Sequence, residues 1–204
     1  MAATVSVGAI LLAGGRASRV GGETKPLFEV GGTTLLAAAV AAATDASAHP
    51  ITVAAPILDP ALPVAWVRED PPFGGPAAAT VAALASWTED PEWTLLLACD
   101  LPRIGAAVRR LVADLPLLPR DTDGVCLGSG GSRPQWLTGA YRTPALRAAA
   151  SALPDLGRNA PVRDLMADLA VAVLAAPDDL TRDVDTWEDL HEARARADHA
   201  KERS

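Results

Sequence analysis

The chain has few cysteines, histidines, lysines and aromatic residues. Only 4% of its 204 residues are aromatic, and it contains two cysteines and three histidines. Cys99 and Cys126 do not have the spacing of a zinc site or of a disulfide framework. The histidines form no ligand pattern either. These absences argue against a disulfide-stabilised scaffold and a zinc-centred chemistry, and each cysteine is interpreted as a small buried apolar residue.

Long apolar runs and an excess of basic charge are also missing. No apolar run is long enough to span a bilayer, and residues 1–6 lack the basic segment of a secretory signal. We therefore expect a cytoplasmic protein with no membrane partner. The net charge is −7, from 18 basic and 25 acidic residues. Because proteins that wrap nucleic acid are more often basic, nucleic acid is not an expected partner.

The sequence does contain one glycine-rich loop with concentrated positive charge. An apolar run over residues 7–12 leads into residues 13–26, which carry two glycine pairs and three cations. Glycines let backbone N–H groups approach an anion closely. The cations that can neutralise that anion are Arg16, Arg19 and Lys25. Lys25 is the only lysine before position 201, and its compact ammonium differs from the planar fork of arginine. The loop predicts a polyphosphate site; the alternative is a flexible surface loop.

The loop is neither a P-loop nor a dinucleotide fingerprint. A P-loop needs Gly-Lys followed by Ser or Thr, whereas Lys25 follows Thr24 and precedes Pro26. The pattern Gly-x-Gly-x-x-Gly is absent from it. The longer spacing lets the loop fold over a nucleotide, with Lys25 returning to the phosphates.

Strand and helix signals alternate along the chain, which predicts a largely parallel sheet with crossover helices. Strands are predicted over Ser6–Ala13, Ile51–Ala55, Val64–Arg68, Thr94–Ala98, Asp123–Leu127, Trp136–Tyr141 and Val171–Leu174. Helices are predicted over Thr33–Thr44, Pro76–Trp87, Gly105–Asp114, Pro144–Ala152, Pro161–Asp168 and Glu188–Ala200. Thr33 or Thr34 is the expected N-cap of the first helix, and residues 128–131 are predicted as a turn. Residues 116–121 are the predicted boundary between two halves of one domain over residues 1–204.

Asp100 is a candidate metal ligand from its position alone. It follows a strongly apolar strand, at the edge where open α/β sheets bind ligands. A carboxylate there can hold Mg²⁺, which takes one or two carboxylates together with substrate phosphates and waters. The alternative is a turn aspartate before Leu101-Pro102.

Taken together, the motifs resemble those of the MobA family of molybdenum cofactor guanylyltransferases, within the nucleotide-diphospho-sugar transferase fold. The resemblance begins with Leu12-Ala13-Gly14-Gly15, Arg19-Val20-Gly21-Gly22, Lys25 and Leu27. It continues with Asp70 and Phe73–Pro76, Leu97–Pro102, Arg133–Gln135 on to Tyr141, Gly157-Arg158 through Arg163 and Leu165, and Asp183–Thr186 with Glu188–Leu190. It covers nearly the whole chain in the right order. It implies an α/β, three-layer Rossmann-like nucleotidyltransferase fold with a mostly parallel central sheet, a nucleotide-binding half over residues 1–118 and an acceptor-binding half over residues 119–204.

The reaction that the resemblance implies is transfer of GMP from GTP to the phosphate of molybdopterin cofactor, with release of pyrophosphate. Mg²⁺ is the implied cofactor, with Mn²⁺ as a substitute. The implied partners are GTP and a molybdopterin-type cofactor, together with contact with cofactor-inserting proteins or molybdoenzymes. Because a phosphate nucleophile is already ionised, such an enzyme needs positioning and charge neutralisation rather than a general base.

The resemblance also assigns roles to individual residues. The implied catalytic residues are Arg19, Lys25 and Asp100. The implied nucleotide-binding residues are Leu12, Ala13, Gly14, Gly15, Lys25, Asp70 and Asp100. The implied metal ligands are Asp100 and Asp185, although the residues alone leave Asp185 open as the N-cap of the last helix. The implied acceptor-binding residues are Arg133, Gln135 and Arg158, with Arg163 as a weaker candidate; solvated helix and turn residues are the alternative.

Four departures from the family pattern leave the base and the acceptor open. Thr24 stands where the family has an aspartate, Val20 replaces a methionine, residues 54–57 lack an asparagine, and residues 77–79 lack a leucine and a glycine. The Ala13-Gly14-Gly15 tripeptide favours guanine over cytosine. Transfer of CMP or GMP to another phosphorylated acceptor stays an alternative. So does a non-catalytic nucleotide or pterin binder, which retention of both Lys25 and Asp100 disfavours.

Overall fold

The computed structural model of the protein describes residues 5–14, 24–129 and 133–201. Its strands there are β1 (Val7–Leu12), β2 (Glu29–Val30), β3 (Thr33–Thr34), β4 (Ile51–Ala54), β5 (Ala65–Val67), β6 (Trp93–Ala98), β7 (Gly124–Ser129), β8 (Arg133–Arg142) and β9 (Val171–Ala175). Its helices are α1 (Leu35–Asp45), α2 (Pro76–Ala85), α3 (Ile104–Asp114), α4 (Thr143–Ala152), α5 (Val162–Leu165), α6 (Asp178–Thr181) and α7 (Trp187–Lys201). Short 3-10 helices cover Lys25–Leu27, Leu115–Leu117 and Pro154–Gly157.

In the described part of the chain, seven strands form one sheet in the order β5-β4-β1-β6-β8-β7-β9. Strands β5, β4, β1 and β6 are mutually parallel, and β9 is parallel to β7. Only β8 runs against its neighbours β6 and β7. This arrangement confirms the predicted mostly parallel sheet. Strands from both predicted halves share the sheet, and the division near residue 119 stays a prediction.

The sheet is the middle of three layers. Alternate residues of the central strands face opposite sides: Leu11 and Leu95 pack with α1 and α3, whereas Ile10 and Leu96 pack with α2 and α4. All four side chains are fully buried. Because β1 and β6 are covered on both faces, their sequences are continuous apolar runs and do not alternate between apolar and polar residues. Truncating one of these leucines to alanine is expected to cost about 2–5 kcal/mol of stability.

Most predicted elements are found with their ends shifted by at most two residues. Strand β8 begins three residues earlier than predicted, and three other features differ more. The predicted helix over Pro161–Asp168 is only the single turn of α5, because the chain turns at Met166–Leu169 to enter β9. Gly128 and Ser129, predicted in a turn, lie in β7 and pair with Pro134 and Arg133, and the rest of the predicted turn at residues 128–131 lies outside the described residues. The hairpin β2–β3 was not predicted, although Gly31 and Gly32, both at positive φ, are a type I′ turn signal.

The first helix begins as predicted. Thr34 is its N-cap, and the Thr34 hydroxyl accepts a hydrogen bond from the Ala37 N–H at 3.1 Å. Across the described residues, no helix combines the length and apolar character needed to cross a membrane.

Candidate functional site

The carboxyl ends of β5, β4, β1 and β6 line a cavity of about 330 Å³. Leu12 and Gly14 reach it from β1, Ala54 from β4, Glu69 from β5, and Ala98 and Asp100 from β6. A Cβ on Gly14 would lie 3.3 Å from the Ala54 carbonyl oxygen, so glycine suits this close approach of two backbones. Ala13, between Leu12 and Gly14, is buried. The cavity therefore occupies the edge at which open α/β sheets bind ligands.

Lys25 and Asp185 meet at this edge although they lie 160 positions apart in the sequence. The Lys25 Nζ donates to the Asp185 Oδ1 at 2.6 Å. The Lys25 side chain is only 18% exposed, and that of Asp185 is 40% exposed. The fold thus brings the predicted phosphate-binding lysine to a predicted metal ligand.

Asp100 faces the same group of charges. Its pKa is raised to about 6 by burial first, then by the carboxylates of Asp183 and Asp185, while the Lys25 ammonium lowers it. The Val184 N–H donates to the Asp100 carbonyl oxygen at 2.9 Å. This backbone bond holds the segment carrying Asp183 and Asp185 against the end of β6, which brings together the two metal ligands that the family resemblance implies.

The helix after Asp185 is capped by another residue. The Thr186 hydroxyl accepts from the Asp189 N–H at 3.2 Å, and the Asp189 Oδ2 accepts from the Thr186 N–H at 2.9 Å. This reciprocal pattern is a capping box at the start of α7. Hydrogen bonds from Thr186 also lower the pKa of Asp189. Thr186 therefore fills the N-cap position that the residues alone had left open for Asp185.

The charges at this end of the cavity fit a hard divalent cation. Among the described residues, the carboxylates of Asp183 and Asp185 and the Lys25 ammonium act on Asp100, and carboxylate oxygens are ligands of the type that Mg²⁺ prefers. Within the described ranges, no three His, Cys, Asp or Glu side chains form a complete metal site. The group therefore suits a cation that takes one or two protein carboxylates and completes its shell with phosphate and water.

A second glycine loop closes the opposite end of the cavity. The Glu69 Oε1 accepts from the Gly74 N–H at 3.2 Å, and the Asn159 N–H donates to the Gly74 carbonyl oxygen at 2.7 Å. Phe73 lines the cavity with a φ of +68°, an uncommon value for a bulky residue. The Arg68 guanidinium lies 5.2 Å from the centre of the Phe73 ring. The loop path is thus fixed on both sides of Gly74.

Two neighbouring carboxylates at this end, those of Glu69 and Asp70, differ in burial. Asp70 is exposed beside the cavity, whereas its neighbour Glu69 is half-buried and lines it. Glu69 is not among the residues predicted for the site from the sequence. The available signal was its place two residues after the end of β5, at the same sheet edge as Asp100.

The predicted acceptor residues are spread along the second half of the chain. Arg133 is exposed at the start of β8, and Gln135 pairs with Leu127 next to an irregularity between β7 and β8. The side chain of Arg163 is 80% exposed. Arg158 lies elsewhere: a Cβ on Gly74 would be 3.7 Å from the Arg158 Cγ, so Arg158 packs against the nucleotide-side loop. Gly15, Arg16 and Arg19 lie outside the described residues.

Comparisons of the sequence with known proteins identify a family and relatives. A family model described as the MobA-like NTP transferase domain matches residues 9–173. A protein of Synechococcus elongatus named probable molybdenum cofactor guanylyltransferase is 36% identical over 121 residues, and a second Synechococcus protein gives the same values. The match covers 55% of this chain and 60% of the relative. The chain therefore spans about three fifths of the length of the curated relatives it matches.

Solved structures show the fold. The 2-C-methyl-D-erythritol 4-phosphate cytidylyltransferase of Thermus thermophilus superposes with a TM-score of 0.69 at 18% identity, covering 95% of this chain and 99% of that one. Molybdopterin-guanine dinucleotide biosynthesis protein A of Archaeoglobus fulgidus gives 0.70 at 16% identity, covering 94% and 98%. These likenesses confirm the predicted nucleotidyltransferase fold. The family match over residues 9–173 shows that the chain belongs to the MobA-like NTP transferase family.

Proposed function

We propose that the protein is a guanylyltransferase that moves GMP from GTP onto the phosphate of a molybdopterin-type cofactor and releases pyrophosphate. One observation carries the proposal. Lys25, Asp100 and Asp185 come from distant parts of the sequence and converge at one end of a cavity. The names of the curated relatives support the choice of GTP and of the pterin acceptor.

The chemistry follows from these charges. An oxygen of the acceptor phosphate attacks the α-phosphorus of GTP, the bond from that phosphorus to the oxygen bridging to the β-phosphorus breaks, and pyrophosphate leaves with its electron pair. The nucleophile is already ionised, so no side chain has to remove a proton. The work left for the protein is alignment and neutralisation of negative charge.

Lys25 would neutralise phosphate oxygens. In the protein alone its ammonium is held by Asp185 at 2.6 Å. A bound phosphate and Asp185 would then share the ammonium, since Lys25 has three N–H donors. Asp100 and Asp185 would hold Mg²⁺, with Mn²⁺ as a substitute. When bound, this metal supplies further charge neutralisation to the phosphates.

Positive charge for the acceptor would come from the second half of the chain. Arg133 and Gln135 lie on the β7–β8 side of the sheet, and Arg158 lies at the second glycine loop. Arginine binds phosphate through paired N–H donors. We include these three residues in the proposal as the acceptor-binding group.

The proposal is tested by a transfer assay with a molybdopterin-type acceptor and one nucleotide at a time. Pyrophosphate release should be fastest with GTP and much slower with CTP or ATP. Removing divalent cations with a chelator should stop the reaction, and Mg²⁺ or Mn²⁺ should restore it. Equal or faster transfer from CTP to the same acceptor would move the protein to the cytidylyl branch. Tight nucleotide binding without any turnover would make it a carrier.

A further inference from the structure

We propose that Glu69 selects the base of the nucleotide by accepting hydrogen bonds from the N1–H and 2-amino groups of guanine. This inference rests on the proposed function, because it assumes that a nucleoside triphosphate occupies the cavity. It concerns a residue outside the motifs that predicted the site.

The cavity is long enough to orient a nucleotide along the sheet edge. Glu69 follows β5 and Asp100 follows β6, with β4 and β1 between those strands. Three strand spacings separate β5 from β6, or roughly 14 Å. A cavity of this span can hold a nucleotide with its phosphates at one end and its base at the other.

The charged side chains indicate which end of the cavity binds the phosphates and which end binds the base. The ammonium of Lys25 lies beside Asp100 and Asp185, so phosphate and its cation belong there. The metal ion of the proposed function would offset the carboxylates at that end, whereas the Glu69 carboxylate lines the wall at the other end, three strand spacings away. The Arg68 guanidinium at that end stacks on the Phe73 ring. The base therefore lies toward Glu69 and Phe73.

The Glu69 side chain is held in place by the loop that follows it. Its Oε1 accepts from the Gly74 N–H at 3.2 Å, and Gly74 is fixed in turn by the Asn159 N–H. Gly74 lies tightly against α2, because a Cβ there would come within 2.9 Å of the Ala78 Cβ. A carboxylate oxygen accepts more than one hydrogen bond, so the Gly74 contact leaves Glu69 able to accept from a ligand.

The nucleotide bases differ in the hydrogen-bond donors that they can offer to Glu69. A carboxylate only accepts hydrogen bonds. The Watson–Crick edge of guanine presents two adjacent donors, N1–H and the 2-amino group. Adenine and cytosine each place a ring-nitrogen acceptor beside their amino group, and that lone pair would face the Glu69 oxygen. Because the half-buried carboxylate pairs fully with guanine alone, it discriminates against the other bases.

Equilibrium binding of nucleotides in the absence of acceptor tests this inference. Dissociation constants are measured for GTP, ITP and ATP by competition against a fluorescent GTP analogue, with the full chain and with Glu69→Gln. ITP lacks only the 2-amino group. Wild type should bind GTP more tightly than ITP and far more tightly than ATP. Glu69→Gln should weaken GTP binding by about ten- to a hundred-fold, the scale of one bidentate base contact, and should weaken ITP binding less.

Glu69→Gln separates base selection from loop support. The amide oxygen of glutamine can still accept from the Gly74 N–H, so a residue that only anchors the loop would leave the GTP-to-ITP ratio unchanged. That unchanged ratio would overturn the inference while leaving the proposed function intact. A gain in relative ATP affinity would support it, because the glutamine amide matches the donor and acceptor of adenine.

Two further variants make the test specific. Glu89→Gln removes an exposed glutamate that precedes β6 at the opposite end of the strand, and it should bind all three nucleotides as wild type does. If Asp70→Asn abolishes the preference for GTP and Glu69→Gln does not, the base is selected by Asp70 and the inference is wrong. A wild-type protein that prefers CTP would instead contradict the proposed function itself.

Discussion

The two ends of the cavity are built in different ways. The end at β6 depends on charge, and its groups come from residues 25, 100 and 183–185. The end at β5 depends on the backbone path of residues 69–75, which Glu69 and Asn159 hold through the N–H and C=O of Gly74. Substitutions at the first end should therefore act mainly on the chemical step, and substitutions at the second end should act mainly on nucleotide binding.

Asp100→Asn should have the largest effect. The amide keeps the shape and removes the charge, so transfer should slow by on the order of 10²-fold or more, the scale of one preorganised electrostatic contact. The melting temperature of the metal-free protein should not fall, because burial and Asp183 already disfavour the charged form of Asp100. Steady-state kinetics and thermal denaturation measure the two effects. Asp121→Asn, at an exposed aspartate before β7, is the matched control, and full activity of Asp100→Asn in Mg²⁺ would place the metal elsewhere.

Lys25→Ala and Lys25→Arg should both reduce transfer, by roughly ten-fold or more, the scale of a hydrogen bond to a charged group. The Lys25 side chain is mostly buried, with its ammonium 2.6 Å from Asp185, and the broader guanidinium does not fit a place shaped for a point charge. The measurement is kcat with saturating GTP. Near-wild-type turnover of Lys25→Arg would show that charge alone matters there.

Gly74→Ala should affect the other end of the cavity, with several-fold weaker GTP binding. The new Cβ would come within 2.9 Å of the Ala78 Cβ on α2, so the loop must shift. Gly105→Ala is a matched control, since its Cβ meets only the end of the Arg109 side chain at 3.6 Å. That helical substitution should raise stability by about 0.5–1 kcal/mol and leave binding unchanged. Equal GTP affinities of wild type and Gly74→Ala would show that the loop path is not needed for binding.

The smallest effects are expected for the acceptor-side arginines. Arg133→Ala or Arg158→Ala should raise the KM for the acceptor or lower turnover by a few-fold, as expected for exposed charges. GTP binding without acceptor should change little. Arg158 is the sharper test, because it packs against Gly74. If its loss weakens GTP binding and spares the acceptor, the division of the chain near residue 119 is wrong.

The sequence predicted the charged end better than the loop end. Asp100 follows a continuous apolar strand, and Lys25 is one of only two lysines. Residue type and position were therefore enough to select both as candidate site residues. The choice between Asp70 and Glu69 depends on how the chain leaves the three-residue strand β5, and a change of one position reverses which side chain faces the cavity.

Long-range contacts explain the other places where the structure differs from the sequence-based predictions. The packing of Arg158 against Gly74 joins residues 84 positions apart, and no local pattern predicts it. The alternation of strands and helices did predict the sheet, because each apolar run needs cover on both faces. The end of α5 was not predicted, since it depends on where the chain must turn into β9.

A crystal structure of the protein with GTP and Mn²⁺ would show how the nucleotide lies along the sheet edge, because the anomalous signal of manganese locates the metal. We expect the metal to contact the Asp100 carboxylate, the phosphates to lie beside Lys25, and the Watson–Crick edge of guanine to face Glu69. A nucleotide bound in the reverse direction, with its base at Asp100 and its phosphates at the Gly74 loop, would contradict this expectation.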